Sequence, residues 1–136
     1  MIIRSNEGEW PDISVDRYKD EPGTWVGVTR RVLNAGSGAK FESRYFEIEP
    51  GGYTSYEMHA HEHFVVVLRG EGSVRLDNEW SEIRTGDAVC VTSRLPHQFR
   101  NIGTEPFGIL CVVDRDRDRP ILLGDDGTPR ASNTSE

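Results

Sequence analysis

Basic residues are in the minority in this chain: 16 lysines and arginines stand against 23 aspartates and glutamates, for a formal net charge of −7 over 136 residues. A surplus of that sign repels a phosphate backbone and an anionic lipid surface, so nucleic acid and membrane are not expected partners. Long apolar runs are missing as well. The opening residues Met1 to Glu7 have no stretch of signal-peptide length, and no later segment could span a bilayer as a helix. Cysteine is scarce. Cys90 and Cys111 are too few for a disulfide framework and read as buried, reduced thiols, which makes the cytoplasm the expected compartment. No stretch shows an amphipathic helical period over three turns, and no internal repeat is visible.

What the chain does have is short runs rich in Val, Ile, Phe and Tyr, separated by Gly, Asn, Asp and Pro. Strands are expected near residues 25–33, 41–49, 55–59, 63–69, 73–76, 79–84, 88–92, 97–101 and 107–114. Turn signals divide them, among them Pro50-Gly51-Gly52, Asp77-Asn78 and Thr85-Gly86-Asp87. Many short strands at this spacing imply an all-β sandwich or barrel. Residues 1–23 are polar and read as an N-terminal arm, residues 24–115 as the barrel, and residues 116–136 as a C-terminal extension ending in a loose tail. In Phe64-Val65-Val66-Val67-Leu68 both faces of the strand are apolar. Such a strand needs cover on both sides, from the core and from either the arm or a second subunit, so a homodimer is expected.

The four histidines are not scattered: His59, His61 and His63 lie together and His97 stands apart. Neutral imidazole is the commonest metal ligand in proteins. In a straight strand residues 57, 59, 61 and 63 would share a face but extend about 20 Å at ~3.3 Å per residue, too far for one ion. A turn near residues 60–62 resolves this. It leaves Glu57 and His59 as neighbours on the incoming strand, His63 at the head of the outgoing one, and His61 in the turn as a spare or pocket-edge residue.

Two stretches resemble the cupin family. Gly51, Glu57, His59, His63 and Gly70 stand at the spacing of its first motif, and Gly86, Thr92, Arg94, His97 and Asn101 at that of its second. The resemblance covers roughly residues 25–115 and implies a double-stranded β-helix, or jelly-roll barrel. It implies one divalent metal ion on Glu57, His59, His63 and His97. Departures are visible: Glu57 takes the place of the family's first histidine, His63 that of its glutamate, and Thr92 and Arg94 those of a proline and a glycine. His63 in that slot is similar to small manganese-binding cupins with an all-histidine site. A rival register uses His59-Ala60-His61 as the chelating pair but finds Val65 or Val66 where it needs a carboxylate. Manganese or iron is the expected ion, with nickel, zinc or copper as alternatives.

By strand parity Phe46 and Ile48 point inward and Arg44 shares their side. Arg44 either anchors an anionic substrate group or sits at the rim in water or beside a glutamate. Cys111 shares a face with Phe107 and Ile109, as core or as a wall of the metal cavity. Phe99 is a further pocket candidate, and Trp10, Trp25 and Trp80 read as packing. The family resemblance implies a small organic substrate or ligand, and the expected function is a metal-dependent, dioxygenase-like oxidoreductase, with a metal-dependent isomerase or a non-enzymatic sugar-binding or sensor protein as the alternatives.

Overall fold

A computed structural model describes residues 1–131 of the chain. Its regular elements are all strands: β1 (Asp16–Arg17), β2 (Val26–Val32), β3 (Phe41–Tyr53), β4 (Glu57–Met58), β5 (His63–Arg69), β6 (Glu71–Leu76), β7 (Glu79–Arg84), β8 (Ala88–Val91), β9 (His97–Arg100), β10 (Phe107–Asp114) and β11 (Ile121–Leu122). Among the described residues there is no helix, and none is therefore long and apolar enough to cross a membrane. Every pairing is antiparallel. One side of the barrel runs β1-β2-β3-β10-β5-β8, and the other holds β9 between β6 and the β3–β4 segment, with β7 beyond β6 and β11 beyond β4. This is an all-β cupin-type barrel.

β3 joins the two sides. Its first part pairs with β2 and β10, and its last residue, Tyr53, pairs with Arg100 of β9. The bend falls at Pro50-Gly51-Gly52, which the sequence marks as a turn and which the chain crosses without leaving the strand. Gly51 sits at φ +84°, a region that favours glycine, and a side chain on Gly52 would lie 2.7 Å from the Val26 carbonyl. Asn101 clamps this bend. It is buried, its Nδ2 donates to the carbonyls of Ile48 and Glu105, and its backbone exchanges hydrogen bonds with Gly51 and Gly52. The asparagine that ends the second motif therefore holds the scaffold together.

Inward positions alternate as the pattern demands. Val28, Phe46, Ile48, Val65, Val67, Val74, Val89, Val91, Phe99, Phe107, Ile109, Cys111 and Val113 form one core cluster. Each large apolar side chain buried there contributes about 1.5–3 kcal/mol relative to exposure. Cys111 is core, but Cys90 lies on the outer face and is exposed, contrary to the expectation of two buried thiols, because β8 points it away from the core flanked by buried Val89 and Val91.

The N-terminal arm and residues 116–131 make more regular contacts than their polarity suggests. In the arm, β1 pairs with β2, Glu9 bonds Arg31 at 2.7 Å, and Trp10 packs 4.9 Å from Tyr45. The arm thus covers the outer face at Tyr45 and leaves Phe64 and Leu68 at 47% and 42% exposure. Of the segment expected as a loose tail, residues 124–131 are described, and 132–136 lie outside the described residues. Gly124 and Thr128 close a turn, Arg130 bonds the carbonyls of Leu122 and Gly23, and Asp125 pairs with Arg75 at 2.9 Å. Backbone pairing supplies there what apolar side chains do not.

Candidate metal centre

Three strands deliver the histidines. His59 follows β4, His63 opens β5 and His97 opens β9, directly opposite Glu57. The chain between β4 and β5 crosses from one side of the barrel to the other, which brings residues close in sequence around a common point. One ring nitrogen from each of His59, His63 and His97 lies within 4.8 Å of the others.

The opposite ring nitrogen of each is occupied. His59 Nδ1 is 2.7 Å from the His61 carbonyl and His97 Nδ1 is 2.8 Å from the Leu95 carbonyl, so both donate there. His63 Nδ1 meets Cys111 Sγ at 2.9 Å. Each ring is thereby set to present Nε2, the arrangement that outer partners impose on metal-binding histidines. The Nε2 atoms of His63 and His97 are 3.2 Å apart. Two donors at right angles around an ion, each ~2.1 Å from it, stand about 3 Å apart. The spacing and chemistry of the set therefore fit a divalent ion.

Electrostatics agree. Burial, and then the neighbouring His97, hold His59 down to about 4. The same causes lower His63 further, and burial lowers His97. All three rings are neutral at neutral pH, the form that binds metal.

Glu57 is buried, accepts a short hydrogen bond from Ser55 Oγ, and places Oε2 3.7 Å from His59 Nε2. It adjoins the histidine group at His59 without belonging to the cluster that closes within 4.8 Å. His61 stacks on His59, centroid to centroid 3.7 Å, and its Nδ1 is 2.8 Å from Asp118 Oδ1. Asp118 also accepts the backbone N–H groups of Ala60 and His61, fixing the turn that separates β4 from β5.

A cavity of about 310 Å³ opens above the cluster, walled by Tyr18, Lys19, Arg44, Glu57, His59, His61, His63, Arg115, Arg117, Asp118, Arg119 and Pro120. Arg44 is buried, with its guanidinium 5.0 Å over the Phe46 ring and Nη2 3.5 Å from Cys111 Sγ. Cys111 stands behind His63, and Phe99 lies in the core beneath. Sequence reasoning missed Tyr18, Lys19, Asp118 and the arginines of residues 115–119. The alternating Asp114-Arg115-Asp116-Arg117-Asp118-Arg119 was the available signal, but its periodicity does not say which side faces the barrel mouth. A larger hollow of about 460 Å³ lies at Tyr53, Trp80, Gln98 and Arg100, where Arg100 stacks 3.7 Å over Trp80. It holds no histidine, and its Gln98 and Arg100 alternate along β9 with the inward His97 and Phe99.

The second motif carries one irregularity. Arg94, in the slot where the family has glycine, sits at φ +66°, and its N–H donates to the His59 carbonyl at 2.7 Å. The left-handed turn is kept without the residue that adopts it freely, and the bond ties both histidine segments together.

Comparison with known proteins agrees with this architecture. The Cupin domain model matches residues 44–113. The 1-methylthio-D-xylulose 5-phosphate methylsulfurylase of Rhodospirillum rubrum is 39% identical over 83% of this chain and 73% of its own length. A cupin 2 conserved barrel domain protein from Rhodopseudomonas palustris is 36% identical, covers 91% of this chain and 86% of its own, and superposes with a TM-score of 0.82. The polyketide cyclase RemF from Streptomyces resistomycificus is 26% identical, with 93% and 89% of the two chains covered and a TM-score of 0.77. The chain belongs to the cupin domain family.

Proposed function

We propose that this chain is a metal-dependent enzyme acting on a small organic molecule that carries neighbouring hydroxyl and carbonyl oxygens. The observation that supports it is the convergence of three neutral, outward-braced imidazoles, two of which, His59 and His63, line a cavity sized for a small ligand. In this reading His59, His63 and His97 hold the ion, with Glu57 beside them as fourth donor. Manganese or iron is preferred, and nickel, zinc or copper would suit the same donors. When bound, the ion supplies Lewis-acid polarisation of a substrate oxygen. The chain's own part is to keep the rings deprotonated by burial, to screen the site from bulk water, and to present Arg44 and Lys19 to the substrate from the wall.

The methylsulfurylase relative, by its name, acts on 1-methylthio-D-xylulose 5-phosphate, which supports a keto-sugar type of substrate. Carbonyl chemistry is thereby favoured over the dioxygenase-like oxidation expected from the sequence. Protein purified without a histidine tag and analysed for metals, then assayed with small keto- and hydroxy-acids and keto-sugar phosphates, tests the proposal. Turnover without oxygen uptake supports it. Stoichiometric oxygen consumption returns the chain to the dioxygenase class, and tight binding without turnover makes it a binder or sensor.

We also propose a homodimer formed through the outer face of β5. Phe64 and Leu68 stand exposed there beside the exposed Cys90 of β8 and Phe41 of β3, a patch that the arm does not reach.

A further inference from the structure

The cavity above the histidines carries a charge opposite to that of the chain. Lys19, Arg44, Arg115, Arg117 and Arg119 line it with Glu57 and Asp118, and Arg117 is paired with Glu42 at 2.9 Å, so cations still outnumber carboxylates around it in a protein whose net charge is −7. A concave wall of one sign focuses the field on an incoming ion of the other.

Arg44 gives that field a fixed point. Its exposure is 8%, its Nε has no hydrogen-bond partner, and among the described residues no carboxylate comes within ion-pair distance. The contacts it does make, with the Cys111 thiol and the Phe46 ring, are neutral. Withdrawing a guanidinium from water without a counter-charge costs several kcal/mol. Core packing alone gives no reason to place it beside the histidines, whereas an anion entering the cavity would repay the cost.

Lys19 is held at the mouth by a second device. It adopts φ +55°, a left-handed conformation uncommon for a non-glycine residue, and its ammonium lies 4.8 Å over the Tyr18 ring. Backbone strain of this kind persists where the surroundings over-determine it. Burial also pushes its ammonium down to about 8.

We propose that the cavity binds a phosphate monoester, with the phosphate held by Arg44 and Lys19 while the rest of the molecule reaches toward the histidines. A dianion with several acceptor oxygens matches a cluster of cations better than a single carboxylate does. This inference rests on the reading of the cavity as the substrate site.

Inorganic phosphate is the probe, titrated calorimetrically into the full-length protein, both metal-loaded and after chelator treatment, with elemental analysis of each sample. In the chelator-treated protein phosphate should bind, and acetate more weakly. Arg44→Gln should weaken phosphate by about ten-fold or more, and Lys19→Gln by about three-fold. Arg84→Gln, exposed on β7 outside the cavity, should bind as the parent does. Arg44→Lys, which keeps the charge and loses the fork, should fall between parent and Arg44→Gln, and it serves in place of Arg44→Gln if that variant does not fold. Absence of phosphate binding, undiminished binding in both the Arg44 and Lys19 variants, or acetate as tight as phosphate overturns the inference. Failure of phosphate binding with metal retained sinks this inference alone, while phosphate binding without any metal affinity sinks only the metal reading.

Discussion

His63 and Cys111 stand back to back, with the ring Nδ1 of the histidine 2.9 Å from the thiol sulfur and its Nε2 turned toward His97. The contact spans two paired strands, since β5 and β10 are neighbours in the barrel. A side chain that looks like ordinary core thus orients a candidate ligand. Cys111→Ala should lower metal affinity by about ten-fold or more, the usual effect of losing such a partner, while Cys111→Ser keeps a hydrogen-bonding atom in place and should lose less. Metal titration with a competing chelator measures both, and equal affinities in all three proteins would remove this role from Cys111.

The ligands themselves sort by substitution. Ala at His59, His63 or His97 should each remove most of the bound metal, because each deletes a direct donor from a site without thiolate ligands. His61→Ala should keep near-normal occupancy, since His61 is engaged with Asp118. Glu57→Ala should lower affinity without abolishing it. Elemental analysis decides; loss of metal in His61→Ala with full retention in Glu57→Ala would point to the rival pair His59 and His61.

Acid should destabilise the metal-free protein before its carboxylates titrate. His59 is held near 4 in the fold against an ordinary 6.5, with burial the main cause. Between those values the unfolded chain binds a proton that the folded chain refuses, so stability falls as pH drops through that window, by on the order of 1 kcal/mol per pH unit for each such histidine. Urea midpoints of chelator-treated protein at about pH 7 and about pH 5 should show the decline, and His59→Asn should make it shallower. Metal occupancy of the folded protein should fall only as pH drops toward about 4, where His59 itself takes up a proton, because the ligating rings must be deprotonated.

Arg94 offers a stabilising change. Its φ of +66° costs a non-glycine residue about 1–2 kcal/mol, and part of that is recovered by Gly even after the extra freedom it confers on the unfolded chain. Arg94→Gly should therefore raise stability by up to about 1 kcal/mol and keep the hydrogen bond to the His59 carbonyl, which uses only the backbone. An unchanged or lower melting temperature would mean that the arginine side chain makes compensating contacts.

The exposed strand face makes a separate prediction. Sedimentation of the parent at micromolar concentration should show a dimer, and Phe64→Ser with Leu68→Ser should shift it to monomer, since both side chains lie on the uncovered face of β5. A parent that sediments as a monomer contradicts the proposed interface.

Alternation and turn chemistry are local, and they were enough for the strands: Phe46, Ile48, Val65, Val67 and Ile109 are where a period of two puts them, and a class of fold follows from that alone. The spacing of His59 and His63 across a forced turn was legible for the same reason, because chain geometry limits which neighbours can share an ion. Arg44 could be given a side of its strand but not its surroundings. Whether it met water, a glutamate or a cavity depended on Cys111, distant in sequence, and on an arm that its composition marks as polar. Lys19, Asp118 and the arginines after β10 join the site only because the segment before β2 and the segment between β10 and β11 fold back over the barrel mouth. Those contacts come from backbone pairing at β1 and β11, which carries no periodic hydrophobic signal. Local pattern determined the barrel and its histidines, whereas the charge of the cavity they share was decided by tertiary structure, because it sums side chains that only folding brings together.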